Sequence, residues 1–212
     1  MPAAVIFDLD GTLWDATGRT YKIWNGVFAR RSETRAVCLS RRDLKGFMGM
    51  TLEAISETLF PDLPASLRAE IMDECSSEEN VCLARLGGRL FDGLKTTLEY
   101  LKRERELFIV SNCQTGYIEA FLQAHGLHEL FRDTEMSGRT GRPKGENVVL
   151  LMERNGVDSA VYVGDTALDE QAARYAGIPF VFAAYGFGRA ESPDAVINKI
   201  SELPSVLAGL GC

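Results

Sequence analysis

Apolar and polar positions follow one another along this chain in two rhythms, and the change of rhythm divides it. At 5–7, 107–110, 160–163 and 179–183, apolar and largely β-branched or aromatic residues run on without a polar break. Such runs mark strands buried on both faces. A weaker run near 134–136 predicts one more strand. Between these runs apolar residues return at helical spacing. Leu94, Leu98 and Leu101 stripe a helix over 94–104, and further helices cover 117–125 (stopped by Gly126), 144–155 (stopped by Gly156) and 169–176 (stopped by Gly177). Strands and helices alternating at this spacing predict an α/β fold, a parallel sheet with helices on both faces.

Residues from about 17 to 88 break the rhythm. Helical periodicity covers 21–31, 51–59 and 65–86, and no buried strand is evident. Segment 15–18 and the pair Gly87-Gly88 read as two hinges. The expectation is an all-helical cap domain over 17–88, inserted into a core formed by 1–16 and 89–212. An insert whose ends leave the sheet beside the first strand sits over the strand ends as a lid, and lids exclude water and select substrate.

Composition narrows the classes. Hydrophobic content of 46% with 25% charged residues is ordinary for a globular chain. No apolar run approaches the roughly 18 residues of a membrane span, and no leader precedes the first strand, so no membrane association and a cytoplasmic location are expected. The five cysteines, Cys38, Cys75, Cys82, Cys113 and Cys212, contain no CxxC pair and fit reduced thiols. A net charge of −7 argues against a nucleic-acid partner but leaves a small anionic substrate open. A monomer or a homodimer is compatible with all of this.

The chemistry gathers where strands end. The first run leads into Asp8-Leu9-Asp10-Gly11-Thr12. Ligands of open α/β sheets bind beyond the carboxyl ends of the strands, so Asp8 emerges where a reacting group should sit. Asp10 reaches the same crevice, and Gly11 lets the backbone turn sharply and approach a ligand closely. Two acids held together call for a cation between them or a proton on one. The second strand ends at Ser111-Asn112, the fourth at Gly164-Asp165 with Asp169 just beyond, and Lys144 opens a helix. Each has work in phosphoryl transfer: one carboxylate as nucleophile, another as proton donor and acceptor, acids to hold Mg²⁺, and a hydroxyl, backbone N–H groups and an ammonium to bind phosphate oxygens.

Taken in order, Asp8-Leu9-Asp10-Gly11-Thr12, Ser111-Asn112, Lys144 and Gly164-Asp165-Thr166-Ala167-Leu168-Asp169 resemble the haloacid dehalogenase superfamily of phosphohydrolases. The likeness covers residues 3–16 and 89–200, and the insert resembles the helical cap of phosphoglycolate phosphatases and β-phosphoglucomutases. It implies a Rossmann-like core, Asp8 as nucleophile and Asp10 as acid and base. It further implies Mg²⁺ held by the Asp8 carboxylate, the Asp10 main-chain carbonyl and Asp165, with Asp169 supporting from behind or through Lys144. Phosphate would be gripped by Ser111, the Asn112 backbone and Lys144, with Gly11 and Thr12 also at the substrate. Dehalogenases and phosphonate-cleaving members lack the second acid; this chain keeps Asp10, which favours phosphate esters.

Within the cap, Leu44-Lys45-Gly46-Phe47-Met48-Gly49 resembles a specificity loop, and Lys45 is the candidate to meet a substrate carboxylate or second phosphate. Trp14, His125, His128 and Cys113 read as structural. The leading expectation is a Mg²⁺-dependent phosphatase acting on a small phosphorylated metabolite. A phosphomutase on the same scaffold and a receiver-type phospho-accepting domain are the alternatives. The cap and Asp10 weigh against the receiver; the motifs do not separate phosphatase from mutase.

Overall fold

The computed structural model describes residues 3–210, so Cys212 lies outside the described residues. Strand β1 (Ala4–Phe7) is buried along its whole length. After the turn carrying Asp8 and Asp10, the short β2 (Trp14–Asp15) leads into α1 (Thr17–Arg30). Helices α2 (Arg41–Phe47), α3 (Leu52–Leu59) and α4 (Ala65–Leu86) follow, and β3 (Arg89–Leu90) returns the chain beside β2. The remainder is α5 (Leu94–Leu101), β4 (Glu106–Ser111), α6 (Tyr117–His125), β5 (Asp133–Met136) and α7 (Ser137–Thr140). Then come α8 (Lys144–Asn155), β6 (Ala160–Gly164), α9 (Ala167–Tyr175), β7 (Phe180–Ala183), β8 (Ala195–Ile197) and α10 (Leu203–Gly209).

Six strands form one sheet in the order β5-β4-β1-β6-β7-β8, every neighbouring pair parallel. Its unbroken apolar strands are explained by burial on both sides. Val5, Phe7, Leu107 and Ile109 pack against Leu98 of α5 and Phe121 of α6. Ile6, Phe108, Val110 and Tyr162 face the other way, onto Val148 and Leu151 of α8 and Ala173 of α9. The register sets the site: Phe7 lies level with Ile109 of β4 and Val163 of β6. Asp8, Ser111 and Asp165 therefore leave three adjacent strands at one edge.

Between β2 and β3, helices α1–α4 hold an apolar cluster of their own, including Trp24, Phe28, Leu44, Phe60 and Ile71. The two expected hinges are not loose loops. Trp14 and Asp15 pair antiparallel with Leu90 and Arg89, so the crossing chains form a two-stranded ribbon. Helix α2 also went unpredicted, because it buries only Leu44 and shows no stripe. Lys45 and Gly46 consequently sit in a helix, and only the segment after Phe47 is a loop.

Candidate active site

Asp8 is buried, and its Oδ1 accepts a hydrogen bond from Lys144 Nζ at 2.8 Å. The same ammonium donates to Asp169 Oδ1 at 2.7 Å. Burial pushes the Asp8 carboxyl up to about 6, against the pull of Lys144 and with a further push from Asp169. Desolvation disfavours the charged form of an acid, and a nearby cation or hydrogen bonds to the carboxylate offset it. Lys144 is held well above its ordinary value by Asp169 and Asp8, despite burial pulling it down, and stays charged.

Asp165 and Asp169 are both fully buried, yet their oxygens differ in employment. Asp169 Oδ2 accepts from Asp165 N at 3.1 Å, Thr166 N at 2.9 Å and Thr166 Oγ1 at 2.7 Å, while Oδ1 takes Lys144. Thr166 is thereby the N-cap of α9, in a reciprocal capping box with Asp169. Asp165 Oδ2 accepts from Phe187 N at 2.6 Å, whereas its Oδ1 is buried with no partner. An orphaned carboxylate oxygen is expensive in a protein interior. Burial, Asp169 and Asp8 together push the Asp165 carboxyl well above its usual range.

One carboxylate oxygen from each of Asp8, Asp165 and Asp169 falls within 4.8 Å of the others. Oxygen ligands at this density suit Mg²⁺, which is bound through one or two carboxylates plus substrate and water. Because the Asp169 oxygens are already engaged and Asp165 Oδ1 is not, Asp8 and Asp165 are the acids that fit the ion. Among the described residues no backbone N–H donates to the Asp10 carbonyl, which leaves it open as well. Asp169 acts behind them, orienting Lys144 and the Asp165 backbone.

Gly11 is required by this closeness. Its φ is +83°, and a Cβ there would lie 2.2 Å from Asp165 Oδ2. Gly186 crowds the other side, where a Cβ would stand 2.2 Å from the Asp165 Cβ.

Asp10 is partly buried and lines a cavity together with Asp8. Tyr117 Oη donates to its Oδ1 at 2.9 Å. Burial first, then the charge of Asp8, push the Asp10 carboxyl well above the ordinary value. An acid whose proton is held to higher pH is suited to protonate a departing oxygen.

Asp8, Asp10, Ser111 and Asn112 line a cavity of about 40 Å³ beneath the helical segment. The Asn112 side chain ties the two parts of the chain together, donating to Gly49 O and accepting from Ser137 Oγ, both at 2.8 Å.

Three comparisons bear on this arrangement. The family model described as haloacid dehalogenase-like hydrolase matches residues 5–183. The chain belongs to the haloacid dehalogenase-like hydrolases. A phosphoglycolate phosphatase from Synechococcus elongatus is 30% identical over 208 residues, covering 94% of each chain. One from Xanthomonas campestris is 28% identical over 193 residues, 88% of this chain and 85% of its own. The crystal structure of a predicted phosphoglycolate phosphatase from Haemophilus somnus superposes with a TM-score of 0.84 at 21% identity, covering 97% of each chain. The enzyme is a phosphatase of this family, and relatives of this kind act on small phosphorylated molecules. No helix among the described residues is long and apolar enough to cross a membrane.

Of the residues marked in the hydrolase's sequence, Asp8, Asp165, Asp169 and Lys144 come together in one buried cluster, with Asp10, Ser111 and Asn112 at its mouth. Gly11 and Thr12 sit differently. The Gly11 N–H donates to Trp14 O and the Thr12 N–H to Leu9 O, and neither residue lines the cavity. Lys45 is elsewhere: its ammonium stands 4.0 Å from Asp15 Oδ2 and 5.0 Å from the centre of the Phe187 ring, outside the cavity lining. The buried Asp15 carboxylate draws Lys45 and Arg41 to the ribbon, with Arg41 Nη2 at 2.7 Å. Trp14 is fully buried against Tyr117, Phe121 and His125.

Sequence reasoning missed Tyr117, Trp24 and Glu79. Tyr117 and Trp24 lie in helical stripes, where an aromatic reads as core. Glu79 shared a long helix with many other acids, and only the fold turns it inward.

Proposed function

We propose that this chain is a Mg²⁺-dependent phosphomonoesterase that works through an aspartyl-phosphate formed on Asp8. The observation carrying the reading is the division of labour around Asp8: Lys144 bonded to it, an orphaned Asp165 oxygen in the same acid cluster, and the Asp10 carboxyl held by Tyr117 in the same cavity. Asp8 attacks phosphorus and Asp10 protonates the leaving oxygen. Asp10, now ionised, then takes a proton from the water that hydrolyses the acyl phosphate. Lys144 and backbone N–H groups after Ser111 hold the phosphoryl oxygens while charge builds on them. Mg²⁺ bound by Asp8 and Asp165 would neutralise the acids and draw charge from the phosphate.

Residues 17–88 serve in this reading as a lid on the core, and the β2–β3 ribbon as its hinge. Support comes from the cluster of apolar residues within α1–α4 and from the Asn112–Gly49 hydrogen bond that closes the lid on the core. A mutase would need a cation for a second phosphate, and the lining residues supply none above Asp10. The test is phosphate release from a panel of small phosphate monoesters with Mg²⁺ and with chelator. Release that needs Mg²⁺ and disappears in Asp8→Asn is expected. Turnover indifferent to chelator would contradict the proposal.

A further inference from the structure

Above Asp10 the cavity changes character. Its polar wall is Thr20, Trp24, Glu79, Gln114 and Tyr117, and its apolar wall includes Phe47, Met48, Met50 and Ile55. Among the described residues lining it there is no lysine, arginine or histidine. Among the described residues lining the cavity, the one carboxyl group beyond Asp8 and Asp10 is Glu79, buried on α4. Thr20 Oγ1 donates to its Oε1 at 2.6 Å and Gln114 Nε2 to its Oε2 at 2.9 Å. Each carboxylate oxygen keeps acceptor capacity to spare. The Trp24 indole N–H, also buried, has no hydrogen-bond partner, although it lies close enough to favour the Glu79 carboxylate.

An acceptor with spare capacity beside a donor without a partner describes the complement of a hydroxyl group, which gives and receives one hydrogen bond each. A carboxylate only accepts and would face Glu79 with like charge. An ammonium only donates and would leave the indole N–H unmet. Resting on the phosphatase reading above, we propose that the leaving group is a short hydroxylated alcohol read by Glu79 and Trp24, and that a carboxylate-bearing ester such as phosphoglycolate is a poor substrate. Phe47, Met48 and Ile55 close the same cavity opposite these polar groups, which favours a short alcohol. Burial pushes the Glu79 carboxyl up to about 7, so the like-charge clash belongs to its ionised form above that pH.

The test compares kcat/KM at about pH 8.5, where Glu79 is ionised, for four monoesters of similar size: glycerol 1-phosphate, phosphoglycolate, phosphoethanolamine and propyl phosphate, all with Mg²⁺. Wild type is expected to favour glycerol 1-phosphate over phosphoglycolate by about 100-fold, the scale of a like-charge clash in a desolvated site. In Glu79→Gln that ratio should shrink to about 10-fold or less. Trp24→Phe should lower the ratio of glycerol 1-phosphate to propyl phosphate by about 5-fold, the worth of one hydrogen bond. Ratios taken within one protein cancel any general loss of active enzyme, and the wild-type ranking stands even where a variant does not fold. Phosphoglycolate or phosphoethanolamine as the best wild-type substrate overturns the inference and leaves the phosphatase reading intact. Hydrolysis of none of the four overturns both.

Discussion

Lys144 Nζ and Asp8 Oδ1 are joined by a buried 2.8 Å hydrogen bond, and this contact sets the electrostatics of the site. Three buried acids, Asp8, Asp165 and Asp169, surround one ammonium. Removing that ammonium leaves carboxylates buried without compensation. Lys144→Ala should lower unfolding free energy by about 3–5 kcal/mol in metal-free buffer. Mg²⁺ should restore part of the loss, since a cation again faces the acids. Denaturant titration with and without Mg²⁺ measures both effects; unchanged stability in chelator would contradict the assignment.

Asp165→Asn separates metal binding from folding. Wild type at Mg²⁺ about 100 times its dissociation constant should gain about 2.7 kcal/mol, read as a rise in Tm. The asparagine variant should lose most of that rise, because the orphaned Oδ1 is the free ligand atom. Its metal-free form should be at least as stable as wild type, having lost a buried and repelled charge. An equal Mg²⁺-dependent rise in both proteins would remove Asp165 from the metal site.

Glu79 predicts a pH dependence. Its carboxyl titrates near 7 in the fold against an ordinary 4.5. Below about 4.5 it is neutral in folded and unfolded chains alike, so its contribution there is fully present. As pH climbs to 7 the unfolded chain gives up the proton first, and stability on the order of 3 kcal/mol is lost. Glu79→Gln should therefore lose less unfolding free energy than wild type between pH 5 and pH 8, measured in chelator. Asp8 and Asp165 titrate in both proteins, and Asp10, relieved of the Glu79 charge, moves the variant in the same direction. Parallel pH profiles would count against a Glu79 raised by burial.

The core was legible because its strands are apolar without alternation and its helices end at glycines. Gly126 and Gly156 both hold the left-handed C-cap conformation expected of them. Asp8, Ser111 and Asp165 could be placed together since strand order in an α/β sheet brings strand ends to one edge. The rest depended on distance in space. Helix α2 has one buried apolar residue, and its signal was the Ser40–Asp43 capping box. Strand β8 covers three residues, too few to show a period. Lys45 looked available until the fold brought the buried Asp15 carboxylate within reach. Glu79 gave no sign at all, because whether an acid on a long helix faces solvent or a cavity is decided by what α4 packs against.

Asp8 carries the phosphoryl group in the proposed reaction, and chemical trapping reads that bond itself. Acetyl phosphate suits the purpose, since acetate leaves without needing a proton from Asp10. In Asp10→Asn with Mg²⁺, attack by Asp8 should proceed while hydrolysis of the acyl phosphate slows. Acid quenching followed by borohydride reduction should convert residue 8 to homoserine, located by mass spectrometry of the tryptic peptide that ends at Arg19. Phosphate release with residue 8 unmodified, or with the modification on another side chain, would contradict the account.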